Sequence, residues 1–186
     1  MAPSFWRIAV ATGAVLAASV AGATEPPPLA GCYERVYDAA HLSAHKGQLV
    51  VRATILIEAT KAGAQLDNRN PVIADGALKI WVRGRNQSFD SFGACSAEGG
   101  NLLCGGSLSA AEADTCKSKR DGVRECRIDS ADAGGFKVEG KPDGVLVSIP
   151  ERLELVPAPY DGGPYLNFSS ANVENRAFLL KRTICK

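Results

Sequence analysis

Apolar and polar residues alternate along most of the chain in short runs, which is the pattern of half-buried β-strands. The clearest run covers residues 49–58, where β-branched residues predominate. Its alternate positions are predicted to form one buried face: Leu49, Val51, Ala53, Ile55 and Ile57. In a second run, 77–83, the inward positions are Leu78, Ile80 and Val82. The opposite face of that run then carries Lys79, Trp81 and Arg83.

The same pattern predicts further strands elsewhere in the chain. They cover residues 32–37, 87–95, 135–141, 144–149, 152–156 and 177–185. Segments 61–75 and 157–164 are rich in turn residues and are predicted to be loops. About eight or nine short strands without a long helix are typical of all-β folds. We therefore predict that residues 32–186 form a single all-β domain, an antiparallel β-barrel or a flattened barrel or sandwich.

Cys95 and Cys104 are predicted to face each other across a hairpin. Gly99 and Gly100 lie midway between them, and a Gly-Gly pair favours the two-residue turns that need positive φ. Counting outward from this turn places Cys95 opposite Cys104. Opposed residues of an antiparallel ladder have Cα atoms roughly 4.5–5.5 Å apart, and a disulfide accommodates roughly 4.4–6.8 Å. A bridge between the two is therefore expected.

The other four cysteines complete a predicted disulfide framework. Cys116 and Cys126 flank an Asp-Gly turn sequence at 121–122, so a hairpin bridge is expected there too. Cys32 and Cys185 would then tie the first strand to the last. Sequence alone does not choose among the possible pairings, and the main alternative joins Cys95 or Cys104 to Cys126. Without a Cys-x-x-Cys spacing, disulfides are favoured over metal thiolates.

Residues 1–23 have the features of a secretory signal peptide. Arg7 supplies a positive charge, residues 8–20 are apolar and alanine-rich, and residues 21–23 form an Ala-x-Ala cleavage site. The apolar run is too short to predict a transmembrane anchor. Residues 24–31, with three consecutive prolines, predict a stiff extended leader. The mature chain is expected to be a periplasmic or secreted monomer of bacterial origin, with no membrane span.

The charge balance indicates no strongly charged partner. The chain has 21 basic and 20 acidic residues, and removal of the signal peptide with Arg7 leaves equal numbers of each. Nucleic-acid binding needs a basic field that this composition lacks. We therefore expect no nucleic-acid partner. We also expect no cofactor, and the expected partner is an unknown protein or small molecule.

His41 and His45 are the only two histidines in the chain. Asp38 is predicted to cap a short helical turn that carries them, and a spacing of four residues places both on one face. Two imidazoles at this spacing can bind zinc or copper, with Glu34 or Asp38 as the nearest candidates for a third ligand. The alternative is that both histidines are surface or capping residues of a connecting turn.

The sequence contains no recognisable catalytic signature. The segment 105–109 lacks the Gly-x-Ser-x-Gly nucleophile elbow, and six cysteines in an oxidising compartment leave no free thiol expected. No catalytic residue is therefore predicted. The most suggestive binding surface is Trp81 with Lys79 and Arg83, because exposed tryptophans are common binding hot spots. Alternatively, Trp81 is covered by the 61–75 segment or belongs to the second half of a sandwich core.

Several landmarks of the sequence resemble a family of small uncharacterised secreted proteins of Gram-negative bacteria. The opening Cys-Tyr-Glu-Arg-Val-Tyr-Asp-Ala-Ala-His-Leu at 32–42, followed by His45 and Gln48, is similar to the start of that family. Later similarities lie at 95–104, at 125–126 with 134–136, and at 176–180, whereas the chain departs from the pattern around Cys116. The resemblance implies an exported domain with no established activity and no catalytic residues.

These observations predict a non-enzymatic binding or interaction module of the cell envelope, similar in its action to an inhibitor. Rigid disulfide scaffolds suit this role because they present loops at low entropic cost. One alternative is a β-barrel that carries a small ligand, and another is a metal-binding protein that uses His41 and His45. A barrel with an internal cavity would favour the carrier, whereas a filled core with an exposed Trp81 surface would favour the binding module.

Overall fold

The computed structural model describes residues 29–60, 72–107, 133–159 and 164–185. This part of the chain is almost entirely β-structure, with one short helix, α1, over Ala39–Ala44. The strands, in chain order, are β1 (Gly31–Val36), β2 (Val50–Ala59), β3 (Val72–Val82), β4 (Ser88–Glu98), β5 (Asn101–Ser107), β6 (Gly135–Lys141), β7 (Gly144–Ser148), β8 (Arg152–Ala158), β9 (Leu166–Ser169) and β10 (Ala177–Thr183).

Eight of these strands form a closed antiparallel β-barrel. Neighbouring strands follow the order β3-β2-β1-β10-β7-β6-β5-β4, and β4 pairs with β3 to close the cylinder. The two remaining strands extend the sheet, because β8 pairs with Ser88–Asp90 of β4, beyond the end of β5, and β9 pairs with β8. The all-β prediction is confirmed, and closure of the sheet identifies the fold as a barrel.

The predicted hairpin and its disulfide are present. Gly99 and Gly100 have φ values of 57° and 82°, and outward from this turn β4 and β5 pair in the predicted register. Cys95 is bonded to Cys104, which excludes the alternative pairing of either residue with Cys126. Cys32 is bonded to Cys185, as predicted. Cys116 and Cys126 lie outside the described residues, as do the predicted signal peptide and most of the leader.

The predicted buried face of β2 is wrong at its first two positions. Leu49 is 43 % exposed, and Val50, predicted to face outward, is fully buried. A bulge between Val50 and Arg52 inserts one extra residue, which reverses the alternation on its N-terminal side. Beyond the bulge Ala53, Ile55 and Ile57 point inward as predicted.

Two predicted loops are shorter than expected where the structure describes them. Strand β3 begins at Val72, inside the predicted 61–75 loop, and β8 continues to Ala158, inside the predicted 157–164 loop. In both places a strand is prolonged by pairing with a neighbour: Val72 lies opposite Ser96, and Ala158 lies opposite Ser88. The loop predictions failed because such partners lie far away in the sequence.

The interior of the barrel is filled with side chains. The largest of them have an accessible surface of less than 2 % and include Phe136, Phe178, Ile55, Leu78, Ile80 and Leu180. Side chains with no surface accessible to a water-sized sphere must pack against one another, so these residues do not line an internal cavity.

Two glycines make room in the interior for a disulfide and a phenylalanine ring. Gly76 of β3 and Gly93 of β4 lie directly opposite each other. A Cβ atom on Gly93 would approach the Gly105 carbonyl oxygen to 2.8 Å, and one on Gly76 would approach Phe136 Cζ to 3.2 Å. The Cys95–Cys104 bridge and Phe136 therefore occupy space that side chains at these positions would need.

A buried asparagine anchors the connection between α1 and β2. The side chain of Asn175 is completely inaccessible, and its Oδ1 accepts hydrogen bonds from the backbone N–H groups of Leu49 (2.8 Å) and Val50 (3.2 Å). Its Nδ2 donates to the Gly47 carbonyl at 3.0 Å. These bonds tie the start of β2 to the segment before β10, 125 or more residues away, and so hold α1 against one end of the barrel.

Candidate functional site

A cleft of about 270 Å³ lies on the outer wall of the barrel. It is bounded by β1, β2, β3 and the residues that follow β10. We call it the wall cleft. Its apolar lining includes Leu56, Ala77, Trp81, Ile184 and the Cys32–Cys185 disulfide. The site is therefore on the outside of a barrel whose inside is filled.

Strand register aligns an apolar row across this wall. Cys32 lies opposite Leu56, Leu56 lies opposite Ala77, and Ala77 lies opposite Phe92. All four point outward, because the alternate positions of their strands are buried in the core. With neighbouring strands about 4.8 Å apart, the row extends roughly 15 Å across four strands. Phe92, at its far end, is 37 % exposed.

On the side of this row that is nearer to α1, the charged residues are paired with one another. Arg52 Nε donates to Glu34 Oε1 at 2.6 Å, and its guanidinium lies over the Trp81 ring, 4.5 Å from the centroid. Lys79 Nζ is 2.7 Å from Asp90 Oδ2. Two cations and two carboxylates therefore balance each other around the cleft. The stacked guanidinium also holds the Trp81 indole in place.

The structure brings together two of the three predicted surface residues. Lys79 and Trp81 both line the wall cleft, and Trp81 is partly exposed on the outer wall, outside the core. Arg83 has another role, since its Nη2 donates to the carbonyl oxygens of Leu42 (2.5 Å) and His45 (3.0 Å). These hydrogen bonds hold α1 against the end of β3.

The sequence prediction missed the rest of the cleft. Arg52 and Leu56 lie on the outward face of β2 beyond the bulge, where the alternation predicted the strand correctly, so this face could have been identified as a candidate. Ile184 gave no such indication, because only the pairing of β10 with β1 brings it beside Leu56, and Cys185 was predicted only as the disulfide partner of Cys32.

His41, in α1, and His45, the residue that caps the C-terminus of α1, lie on the same side with their rings stacked, as the predicted spacing requires. Asp38 caps the helix by accepting a hydrogen bond from the backbone N–H of His41 at 2.7 Å. The imidazole of His41 stacks between the rings of Tyr37 and His45, with centroids 4.9 and 4.4 Å away. Burial raises the pKa of Tyr37, and the nearby Arg35 guanidinium partly offsets this effect.

The hydrogen bonds of His41 indicate a structural role. Its Nε2 is 2.9 Å from Oε1 of the buried Gln48. Because Gln48 Nε2 donates to the Val50 carbonyl, Gln48 Oε1 is the acceptor and His41 Nε2 is the donor. A metal ion at this nitrogen would have to displace that bond.

A third metal ligand is not in place in the described part of the chain. Glu34 is paired with Arg52, and Asp38 caps α1. Glu174 lies 3.6 Å from His45 Nδ1, yet the described residues contain no group of three potential ligands. The metal site at His41 and His45 stays a prediction.

Replacing His41 by phenylalanine is expected to lower the free energy of unfolding by about 1–3 kcal/mol, because a buried acceptor loses its donor while the aromatic stack is kept. Denaturant unfolding measures this. The control is His45→Phe, whose contact with Glu174 is half-exposed and is worth about 1 kcal/mol or less. Equal losses in the two variants would contradict the structural role of His41.

A calorimetric zinc titration of the same proteins tests the predicted metal site. Binding at His41 and His45 would give a stoichiometric heat signal in the wild type that is absent from both variants.

Comparisons of the chain with protein-family models, with curated proteins and with solved structures found no match. The family resemblance of the sequence therefore stays a prediction. None of the described helical structure is long and apolar enough to cross a membrane. The two disulfides indicate an oxidising environment.

Proposed function

We propose that the protein is a non-enzymatic binding module of the cell envelope, periplasmic or secreted, that engages a partner protein through the wall cleft, as an inhibitor does. The observation that carries this proposal is an apolar cleft with Trp81 on the outer wall of a barrel whose interior is filled. A small-ligand carrier would instead use the inside of the barrel, where the described core residues leave no room.

The size of the cleft favours a side chain of a protein over a free small molecule. Pockets for drug-sized ligands have volumes of roughly 300–1,000 Å³ and enclose most of the ligand. The wall cleft, at about 270 Å³, is at the lower limit of this range. It suits one large side chain of a partner, which is how buried anchors act at protein interfaces.

The chemistry of the cleft favours an apolar anchor. Glu34 is neutralised by Arg52 and Asp90 by Lys79, so none of these charges needs a partner from outside. An apolar side chain would cover Leu56, Ala77 and the edge of the Trp81 ring without breaking either ion pair. The barrel and its disulfides hold these groups in place before binding, which limits the entropic cost of association.

Filling the cleft is expected to abolish binding. The partner can be recovered from the producing organism on the tagged wild-type protein, and affinities are then measured with purified components. Ala77→Arg places a long charged side chain in the cleft and should weaken binding by about 100-fold or more, as expected for the loss of a central anchor. Trp81→Ala should weaken binding in the same direction.

The matched control for this experiment is Leu103→Arg. Leu103 is also an outward-facing apolar residue, 39 % exposed, but it lies on β5 outside the cleft. Its substitution should leave the affinity within about threefold of the wild type, as is usual for a residue outside the interface core. Equal affinities of Ala77→Arg and the wild type would overturn the proposed function.

A further inference from the structure

Two carboxylates border the apolar row of Cys32, Leu56, Ala77 and Phe92 on the side away from α1. Glu58 of β2 lies directly opposite Asp75 of β3 in the ladder. Both point outward, since Ile57 and Ala74 beside them are buried in the core. Each lies two residues along its strand from the row of Leu56 and Ala77, which is a distance of roughly 6.6 Å.

This acidic pair differs from the other charges around the cleft. Glu34 and Asp90 each have a cation within hydrogen-bond distance. In residues 29–60, 72–107, 133–159 and 164–185, by contrast, no lysine or arginine forms an ion pair with Glu58 or Asp75. Like charges directly opposite each other in a ladder repel and destabilise the pair. A cation placed between them would relieve this repulsion and gain charge-assisted hydrogen bonds.

We propose that the partner carries a lysine or arginine beside the apolar anchor that enters the wall cleft, and that Glu58 and Asp75 bind this cation. The inference rests on the proposed function and specifies the chemistry of the partner. The charge complementarity lies at one border only, because the opposite border is already neutral. The acidic pair therefore also sets the direction in which the partner segment lies.

The spacing between rows of side chains on the barrel wall predicts a sequence pattern for the partner segment. In an extended segment, side chains on the same side recur every second residue, roughly 6.6 Å apart. This matches the separation between the Leu56–Ala77 row and the Glu58–Asp75 row. An extended segment lying along β2 and β3 would thus have its cation two residues from its anchor, in the pattern apolar-x-Lys or apolar-x-Arg.

Selection from a random library of displayed 12-residue peptides tests this inference. The target is the exported full chain, purified without reductant, in low salt with a chelator so that no divalent cation bridges the two carboxylates. Parallel selections use Ala77→Arg and the isosteric double variant Glu58→Gln/Asp75→Asn. The double variant should melt at the wild-type temperature or above it, because the substitutions remove a repulsion.

The expected result is enrichment of a large apolar residue with lysine or arginine two positions away. On the double variant the apolar anchor should persist while the basic preference disappears. A peptide selected on the wild type should bind the double variant about tenfold more weakly, with a slower association rate and a smaller salt dependence.

The remaining outcomes separate this inference from the proposed function. Apolar anchors without a basic preference would overturn the inference and leave the proposed function standing. Peptide binding that Ala77→Arg does not reduce, or the absence of any enrichment, would overturn both. Self-association that Ala77→Arg abolishes, measured by analytical ultracentrifugation, would identify a second copy as the occupant and would also overturn the inference.

Discussion

Replacement of Phe136 by alanine is expected to lower the free energy of unfolding by about 3–5 kcal/mol, the range for a fully buried phenylalanine. Phe136 has no accessible surface and lies opposite Cys104 in the barrel. Its ring fills the space above Gly76 and Gly93, neither of which has a side chain that could move into the vacated volume. The cavity therefore cannot collapse easily, which places the loss toward the upper end of the range.

Denaturant unfolding of Phe136→Ala and Phe92→Ala measures this effect with a matched control. Phe92 is also a phenylalanine in a barrel strand, but it is 37 % exposed on the outer wall. Its replacement should cost less, about 1–2 kcal/mol, because more than a third of its surface is in contact with water in the folded protein. Similar losses in the two variants would contradict the filled interior, and with it the preference for a binding module over a ligand carrier.

Removal of the Cys32–Cys185 bridge in the double variant Cys32→Ser/Cys185→Ser is expected to destabilise the protein by about 4 kcal/mol, mainly because the unfolded chain gains freedom. The bridge joins residues 153 positions apart, and the entropic stabilisation increases with the length of the closed loop. The denaturant m-value should rise as well, because the unfolded chain exposes more surface without the cross-link.

The same double variant should also lose partner binding. Cys32 and Cys185 line the wall cleft, and the bridge fixes Ile184 beside them. Without the covalent link the residues after β10 extend past Thr183, the last position in the described chain that pairs with β1. The control is Ile184→Ser, which removes the exposed apolar side chain but keeps the bridge.

Measurements of stability and of affinity distinguish the two roles of the bridge, which are to stabilise the fold and to fix one wall of the cleft. Ile184→Ser should unfold like the wild type and bind its partner more weakly, because Ile184 is 83 % exposed and contributes mainly to the cleft. The double variant should be impaired in both measurements. A double variant that binds like the wild type would show that the C-terminal wall does not form part of the site.

Much of the local structure could be predicted from the sequence because its causes are local. The register of the Cys95–Cys104 hairpin follows from a Gly-Gly turn, whose positive φ angles few other residues accept. The cap of α1 follows from Asp38, whose side chain reaches the third residue along. The alternation in β3 placed Trp81 outside the core correctly, since a strand turns successive side chains to opposite faces.

Bulges and strand extensions were not predictable in this way. The bulge at Val51 changes the buried face of β2, yet no glycine or proline marks it. Strand β9 was not predicted at all, because its four residues exist as a strand only through pairing with β8. In both cases the structure depends on a neighbouring strand and its register, which a single run of residues does not contain.

The sequence by itself determined that this chain is an all-β, disulfide-linked protein, because alternation and turn residues act over a few positions. It placed Trp81 on the face opposite to Leu78 and Ile80 but left open whether a second layer covers that face. Only the tertiary structure decided that the sheet closes, that its interior is filled, and that the candidate site lies on the outer wall. The wall cleft needs β10 beside β1, and thus residues about 150 positions apart in contact. Such contacts depend on the summed packing and pairing of the whole barrel, which no local pattern specifies.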